Sequence, residues 1–208
     1  MARLVSYFLE LQKWNRTINL VGRAPDAEIL EKHFLDGLTL LPLLAAWGYP
    51  GPLLDVGTGA GFPGLVLQTA APELGVTLLE PRLKRVSFLK QIVRTLKLEQ
   101  VTILAARLET GGRLHYAEQN NQPLLAPHPV ITSRAFTQIA PFLELAAPIC
   151  PPAGRVICMK GARSGAEIDD WRDHPTASAA FTLAEQHTFA LPVSGTPRTI
   201  LVFSRNPY

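Results

Sequence analysis

Apolar residues recur at helical spacing through the first fifty positions and then change to short β-rich runs. Leu4, Val5, Phe8, Leu11 and Trp14 follow a helical period, which predicts an amphipathic helix over 3–14 that stops near Asn15. A second helix is expected after Asp26, whose side chain can accept an orphan N–H with Pro25 ahead of it. Ile29, Leu30, Phe34 and Leu38 would line one face of that helix. Pro42 removes a donor and clashes one turn back, so it bends or ends the run.

From residue 52 the runs Leu53–Val56, Val76–Leu79, Val101–Ala105, Val130–Thr132 and Arg155–Met159 alternate with helical patterns over 63–71, 82–97 and 136–147. That alternation predicts βαβ units and a parallel sheet with helices on both faces. Phe181–Leu191 and Thr199–Phe203, separated by a Pro/Gly-rich turn and no helix, read as an antiparallel C-terminal hairpin at the sheet edge. Residues 110–129, rich in Gly, Asn, Gln and Pro, read as a long surface loop. The division expected is an N-terminal helical extension, 1–50, and one α/β domain, 51–208.

Composition narrows the class without deciding it. With 47% hydrophobic and 18% charged residues over 208 positions, the chain can bury an ordinary globular core. The apolar stretch 38–48 is interrupted by Pro42 and falls short of the roughly 20 residues a bilayer span needs, so no membrane partner is expected. The N-terminus lacks the pattern of an export signal. Cys150 and Cys158 give neither a disulfide framework nor a metal-ligand spacing, which fits a reducing cytoplasm and no metal. A net charge of +3 permits a polyanionic partner without requiring one.

The candidate chemistry sits at 55–64, D-V-G-T-G-A-G-F-P-G, after an apolar strand and before a helical pattern. Gly57, Gly59 and Gly61 remove side chains where a ligand must approach backbone, and Pro63 suits a first helical turn. Glu80 ends the next strand, placed to accept hydrogen bonds from a ribose diol. The same loop satisfies G-x-G-x-x-G through Gly59, Gly61 and Gly64, so a dinucleotide must be weighed. Asp55, expected to face the ligand crevice, would repel a pyrophosphate and attract the ammonium and sulfonium of S-adenosylmethionine. Pro63 also removes a helix N-terminal donor that a phosphate would use. The methyl donor is therefore favoured over a dinucleotide.

Further motifs along the chain are W-N-R-T-I-N-L-V at 14–21, K-H-F-L-D-G-L at 32–38, K-R-V-S-F-L at 84–89, A-R-L-E at 106–109, S-R-A-F at 133–136 and M-K-G at 159–161. With the glycine turn, and in this order, they resemble the small-subunit rRNA (guanine-N7)-methyltransferase family, also called glucose-inhibited division protein B. The resemblance implies a Rossmann-like class I methyltransferase with a mostly parallel seven-stranded sheet. It implies methyl transfer from S-adenosylmethionine to N7 of one guanosine in 16S rRNA of the small ribosomal subunit, and no DNA partner. By position, Gly57 and Phe62 match cofactor contacts in the turn, Leu108 and Glu109 those near the adenine, and Arg134 the arginine after the fourth strand. Asn19, Arg107 and Arg198 match polar positions near the RNA or active site. The 110–129 stretch is longer than the family pattern.

Guanine N7 carries an available lone pair, so no catalytic base is assigned, and positioning carries the reaction. S-R-A-F stands where an adenine-amine enzyme would carry D-P-P-Y. Both cysteines read as structural. Arg107, Arg134 and Lys160 follow strands at the carboxyl edge, where open α/β folds bind ligands; Arg107 and Lys160 are expected to face RNA. His33 is read as structural, and Trp14 and Phe8 as core packing. The alternatives are a methyltransferase acting on another RNA or a small molecule, and a non-catalytic cofactor-binding protein.

Overall fold

Leu53, Leu54 and Val56 are each at most 1% exposed, so β1 (Leu53–Val56) is buried on both faces, as its unbroken apolar run requires. The computed structural model describes residues 1–116, 122–162 and 164–207; residues 117–121, within the expected 110–129 loop, lie outside the described residues. The chain packs as two units, Met1–Ala106 and Arg107–Tyr208. The sheet has seven strands.

In the first unit, β1, β2 (Val76–Leu79) and β3 (Val101–Leu104) are parallel, with Leu53 opposite Val76 and Val76 opposite Val101. α5 (Gly64–Ala70) and α6 (Leu83–Leu96) make the crossovers. α6 buries Val86, Phe88, Leu89, Ile92 and Leu96 at helical spacing and ends on Lys97 in the left-handed conformation. Ahead of β1 come α1 (Ala2–Asn15) and α2 (Asp26–Ile29), which runs through a π-helical stretch, Leu30–Leu35, into α3 (Asp36–Leu38). α4 (Leu41–Ala46) follows with Pro42 in its first turn, where the missing N–H breaks no bond.

Two details of the amphipathic reading are corrected. α1 buries Tyr7 and Leu11 while Val5 is 51% exposed, so the inward stripe centres on a tyrosine that hydrophobic period alone does not single out. Asp26 caps no helix: its Oδ1 accepts from Gln12 Nε2 at 2.6 Å, and Pro25 holds the cap position. In the same helical run Leu30 is 41% exposed, whereas Glu31 and Asp36 are buried. The π-helical stretch shifts the faces away from an ideal 3.6 period.

In the second unit, β6 (Val130–Arg134) and β7 (Arg155–Lys160) are parallel, β9 (Pro197–Arg205) is antiparallel to β7, and β8 (Phe181–Ala190) closes the edge against β9. The C-terminal hairpin is thus as expected. α7 (Ile139–Ala146) links β6 to β7. Within the expected loop β5 (Arg113–Tyr116) is a strand, paired with β4 (Ala106–Glu109) ahead of it, with Gly111 and Gly112 at positive φ between them. Two helices were not foreseen: α8 (Ser164–Arg172), which buries Ser164, Ile168 and Trp171, and α9 (Pro175–Ala180), which buries Ala177.

Candidate functional site

The turn after β1 is held in shape by its own neighbours. Gly57, Gly59 and Gly61 have φ of 71°, 63° and 92°, a region that side chains disfavour. A Cβ on Gly61 would lie 2.2 Å from the Tyr7 hydroxyl, and one on Gly64 would lie 2.9 Å from Asp55 Oδ2. Tyr7, fully buried on α1, donates its hydroxyl to the Ala60 carbonyl in a short hydrogen bond and stacks on Phe62 with centroids 5.8 Å apart. Phe34 meets Phe62 edge-on at 5.1 Å, and His33 stacks on it at 5.2 Å. The N-terminal helices therefore buttress the turn. Phe62 is 3% exposed, so its observed work is packing beneath the turn.

The expectation that Asp55 faces the ligand crevice is corrected. Its side chain is fully enclosed, and Oδ2 accepts from Thr58 Oγ1 at 2.6 Å and from the Gly64 N–H at 2.8 Å. Its charge shapes the turn from beneath instead of meeting a ligand at the surface. A diphosphate needs free N–H donors at the turn and helix start. Gly57 and Thr58 donate to Leu79 O, Gly61 and Phe62 to Thr58 O, and Leu65 and Val66 to Gly61 O. Pro63 has no N–H to offer.

Glu80, 2% exposed, stands just past β2. Its Oε2 accepts the Gly59 N–H at 3.0 Å, its Oε1 accepts the Arg82 N–H at 2.9 Å, and Arg85 Nη1 lies 3.8 Å away. A carboxylate offers about four acceptor sites, and these two N–H bonds leave capacity for hydroxyls. The turn thus offers acceptors and a close backbone approach, with its named donors already spent. That set fits a cationic, diol-bearing nucleoside and does not fit a diphosphate.

In the second unit Leu108 is buried in β4, Glu109 is half-buried at its end, and Arg107 between them and Ala106 is exposed. Arg134 ends β6, half-buried. Lys160 ends β7 with only 11% of its side chain exposed, and its ammonium is taken up internally: Nζ donates to Thr137 O at 2.6 Å and pairs with Glu167 Oε2 at 2.7 Å. The expected RNA contact at Lys160 thus meets a lysine turned inward. Arg198, half-buried on β9, donates to Pro197 O at 3.1 Å, and Asn19 is exposed in the first unit.

Sequence reasoning passed over Asn15, whose Oδ1 accepts the N–H groups of Leu20 and Val21 at 2.8 and 3.0 Å. This one side chain holds the 16–21 loop that carries Asn19. The N-x-x-x-N spacing inside the motif at 14–21 was the available signal. Burial pushes the thiols of Cys150 and Cys158 up to about 12, so neither is a nucleophile near neutral pH. A hollow of about 420 Å³ flanked by Pro127, Cys150 and Arg205 lies toward the amino-terminal end of β7, away from the carboxyl edge where open α/β folds bind ligands. Among the described residues no cluster could hold a metal ion.

The comparisons with known proteins agree with this geometry. A family model described as rRNA small subunit methyltransferase G matches residues 1–190. A ribosomal RNA small subunit methyltransferase G of Desulfotalea psychrophila is 42% identical over 201 residues, covering 96% of this chain and 87% of that protein. Its counterpart in a Geobacter species is 38% identical over 197 residues, covering 95% and 85%. Among solved structures, the SAM-bound magnesium protoporphyrin IX methyltransferase of Synechocystis superposes with a TM-score of 0.64 at 16% identity, covering 94% of this chain and 91% of that one. The N-methyltransferase NodS of Bradyrhizobium japonicum, bound to S-adenosyl-L-homocysteine, gives 0.60 at 14% identity, covering 95% and 99%. These two likenesses establish the fold alone. The family match and the relatives settle the membership: the chain belongs to the rRNA small subunit methyltransferase G family.

Proposed function

We propose that this chain transfers the methyl group of S-adenosylmethionine to N7 of one guanosine in 16S rRNA of the small ribosomal subunit. The observation that carries the cofactor is the turn at 57–64, whose named donors are internally paired beside a Glu80 carboxylate with acceptor capacity left. Glu80 would hold the ribose hydroxyls, and Gly57, Gly59 and Gly61 would admit the nucleoside against backbone. Asp55 and Phe62 act beneath, fixing the turn. By their match to the family's positions, Leu108, Glu109 and Arg134, all in the second unit, are proposed as cofactor contacts.

When bound, S-adenosylmethionine supplies an electrophilic methyl group on a sulfonium. N7 already carries a lone pair, so the protein has no proton to remove before attack, and no catalytic base is assigned. What remains is positioning, which supplies about 7–11 kcal/mol of barrier reduction at best when reacting atoms sit about 3–3.5 Å apart.

Asn19, Arg107 and Arg198 are proposed to face RNA. α6 adds support, because its first turn carries Lys84 and Arg85 with no acidic residue. Cations there oppose the helix dipole by about 0.3–1 kcal/mol each, so helix stability does not explain them. We assign residues 1–50 to a helical extension and 51–208 to the methyltransferase domain. The proposed compartment is the cytoplasm, with no membrane or DNA partner; among the described residues no helix is long and apolar enough to cross a membrane.

The test is mass mapping of rRNA from a strain lacking the gene. Loss of a single N7-methylguanosine from 16S rRNA supports the reading, and unchanged rRNA overturns it. Activity confined to free metabolites, or cofactor binding with no transfer to any rRNA, would favour the alternatives.

A further inference from the structure

The segment 134–138, made of the last residue of β6 and the loop that leads to α7, stands at the carboxyl edge of the second unit's strands, and its shape is strained. Ala135 has φ of 51°, a conformation that costs a residue bearing a side chain about 1–2 kcal/mol. Such a residue persists only where its surroundings over-determine it. Phe136, next in the loop, is 38% exposed and meets Phe142 at 70°. A perpendicular contact leaves at least one ring face uncovered by that neighbour.

What holds the loop arrives from two other elements. Lys160, the last residue of β7, donates to the Thr137 carbonyl. Glu167 of α8 pairs with that ammonium and, at 3.2 Å, accepts the N–H of Ile139, the first residue of α7. Gln138 makes no side-chain cap there, so Glu167 caps α7 from a different helix. One ion pair therefore fixes the end of the loop and the start of the helix that follows.

We infer that Lys160 and Glu167 are a positioning pair that fixes the 134–138 loop for the substrate, and that Lys160 is not a phosphate contact. Stability alone is a weak reason to keep such a pair. A largely buried ion pair is often replaceable by apolar groups without loss, because desolvation offsets the attraction. A loop that must present Arg134 and Phe136 in one arrangement has a use for a charge-fixed clamp. The inference rests on the proposed RNA methylation for its substrate, though not for its geometry.

The two roles differ in sign at Glu167. If Lys160 bound phosphate, Glu167 would compete with the RNA, and Glu167→Gln would tighten RNA binding. If the pair positions the loop, Glu167→Gln and Lys160→Met impair the same step. The experiment uses the full chain with unmodified 16S rRNA and small-subunit particles. It measures kcat, KM, the salt dependence of RNA binding, and amide exchange across 134–139. Expected for Lys160→Met are a kcat lowered about tenfold or more, exchange at Thr137–Ile139 faster by a similar factor, and an unchanged salt slope. Glu167→Gln is expected to lower kcat without tightening RNA binding, and the double variant to fall no further than Lys160→Met alone.

A salt slope reduced by about 0.7–1 in Lys160→Met, with tighter binding in Glu167→Gln, would overturn the inference. So would unchanged loop exchange in a folded variant. If the wild-type chain methylates no rRNA, the proposed reaction falls, and the exchange measurement still decides what the pair does.

Discussion

Replacing Gly61 with Ala puts a methyl group where the Tyr7 hydroxyl now lies. The new Cβ would sit 2.2 Å from that oxygen and 2.8 Å from Leu65 Cβ, at a φ of 92°. The left-handed backbone costs about 1–2 kcal/mol for a residue with a side chain. Overpacking against a fully buried tyrosine adds about 1–3 kcal/mol. Tyr7→Phe removes the closest contact but leaves the Ala60 carbonyl without its donor, at about 1–3 kcal/mol. The two changes therefore couple: Gly61→Ala costs less in the Tyr7→Phe background, by about 1–2 kcal/mol, within the range found for residues in contact. Urea denaturation of the four proteins gives the cycle, and calorimetric titration with S-adenosylmethionine reads the turn directly, with weaker binding expected in Gly61→Ala. Additive destabilisation, or full cofactor affinity in Gly61→Ala, would refute the claim that α1 sets the geometry of the turn.

Asp55→Ala unpairs the Gly64 N–H and the Thr58 hydroxyl, so cofactor affinity falls far more than in Arg107→Ala. Arg107→Ala is expected instead to slow RNA methylation and lower the salt slope of RNA binding by about 0.7–1; comparable cofactor affinities for the two variants would show the roles are misassigned. Burial raises both folded thiols to about 12 from an ordinary 9.0, so their stabilising contribution is complete below pH 9.0 and is lost as pH rises through about 12. Denaturation midpoints should decline across that window, less so in Cys158→Ala compared with its own value at neutral pH, and iodoacetamide should label neither thiol of the folded chain at pH 7. Asn15→Ala unpairs the N–H groups of Leu20 and Val21, with an expected loss of about 1–3 kcal/mol in urea and weaker RNA binding through the loosened 16–21 loop.

The strands around the glycine turn were legible because they are short, apolar and bounded by turn residues, and α6 because five of its apolar residues share a face. Glu80 was legible from its spacing after the turn. Tyr7 was not, because its hydroxyl meets Ala60 across 53 positions of sequence, a contact no local period reports. The direction of Asp55 was also hidden. A carboxylate at a strand end can meet a ligand or tie down a turn, and the Thr58 hydroxyl and Gly64 amide decide for the second. α8 escaped notice because Ile168 and Trp171 are its only large buried residues in an otherwise polar stretch. Lys160 read as a free cation because its partner is seven residues on, in that unforeseen helix. The β4–β5 pair was masked by the glycines that make its turn possible.

The proposed transfer is tested by incubating the purified chain with methyl-labelled S-adenosylmethionine and small subunits that lack the modification, then mapping the label by reduction and aniline cleavage. Stoichiometric label is expected, with one cleavage in 16S rRNA at a guanosine carrying the group on N7. Label at several positions, on another atom, or absent from 16S rRNA would contradict it.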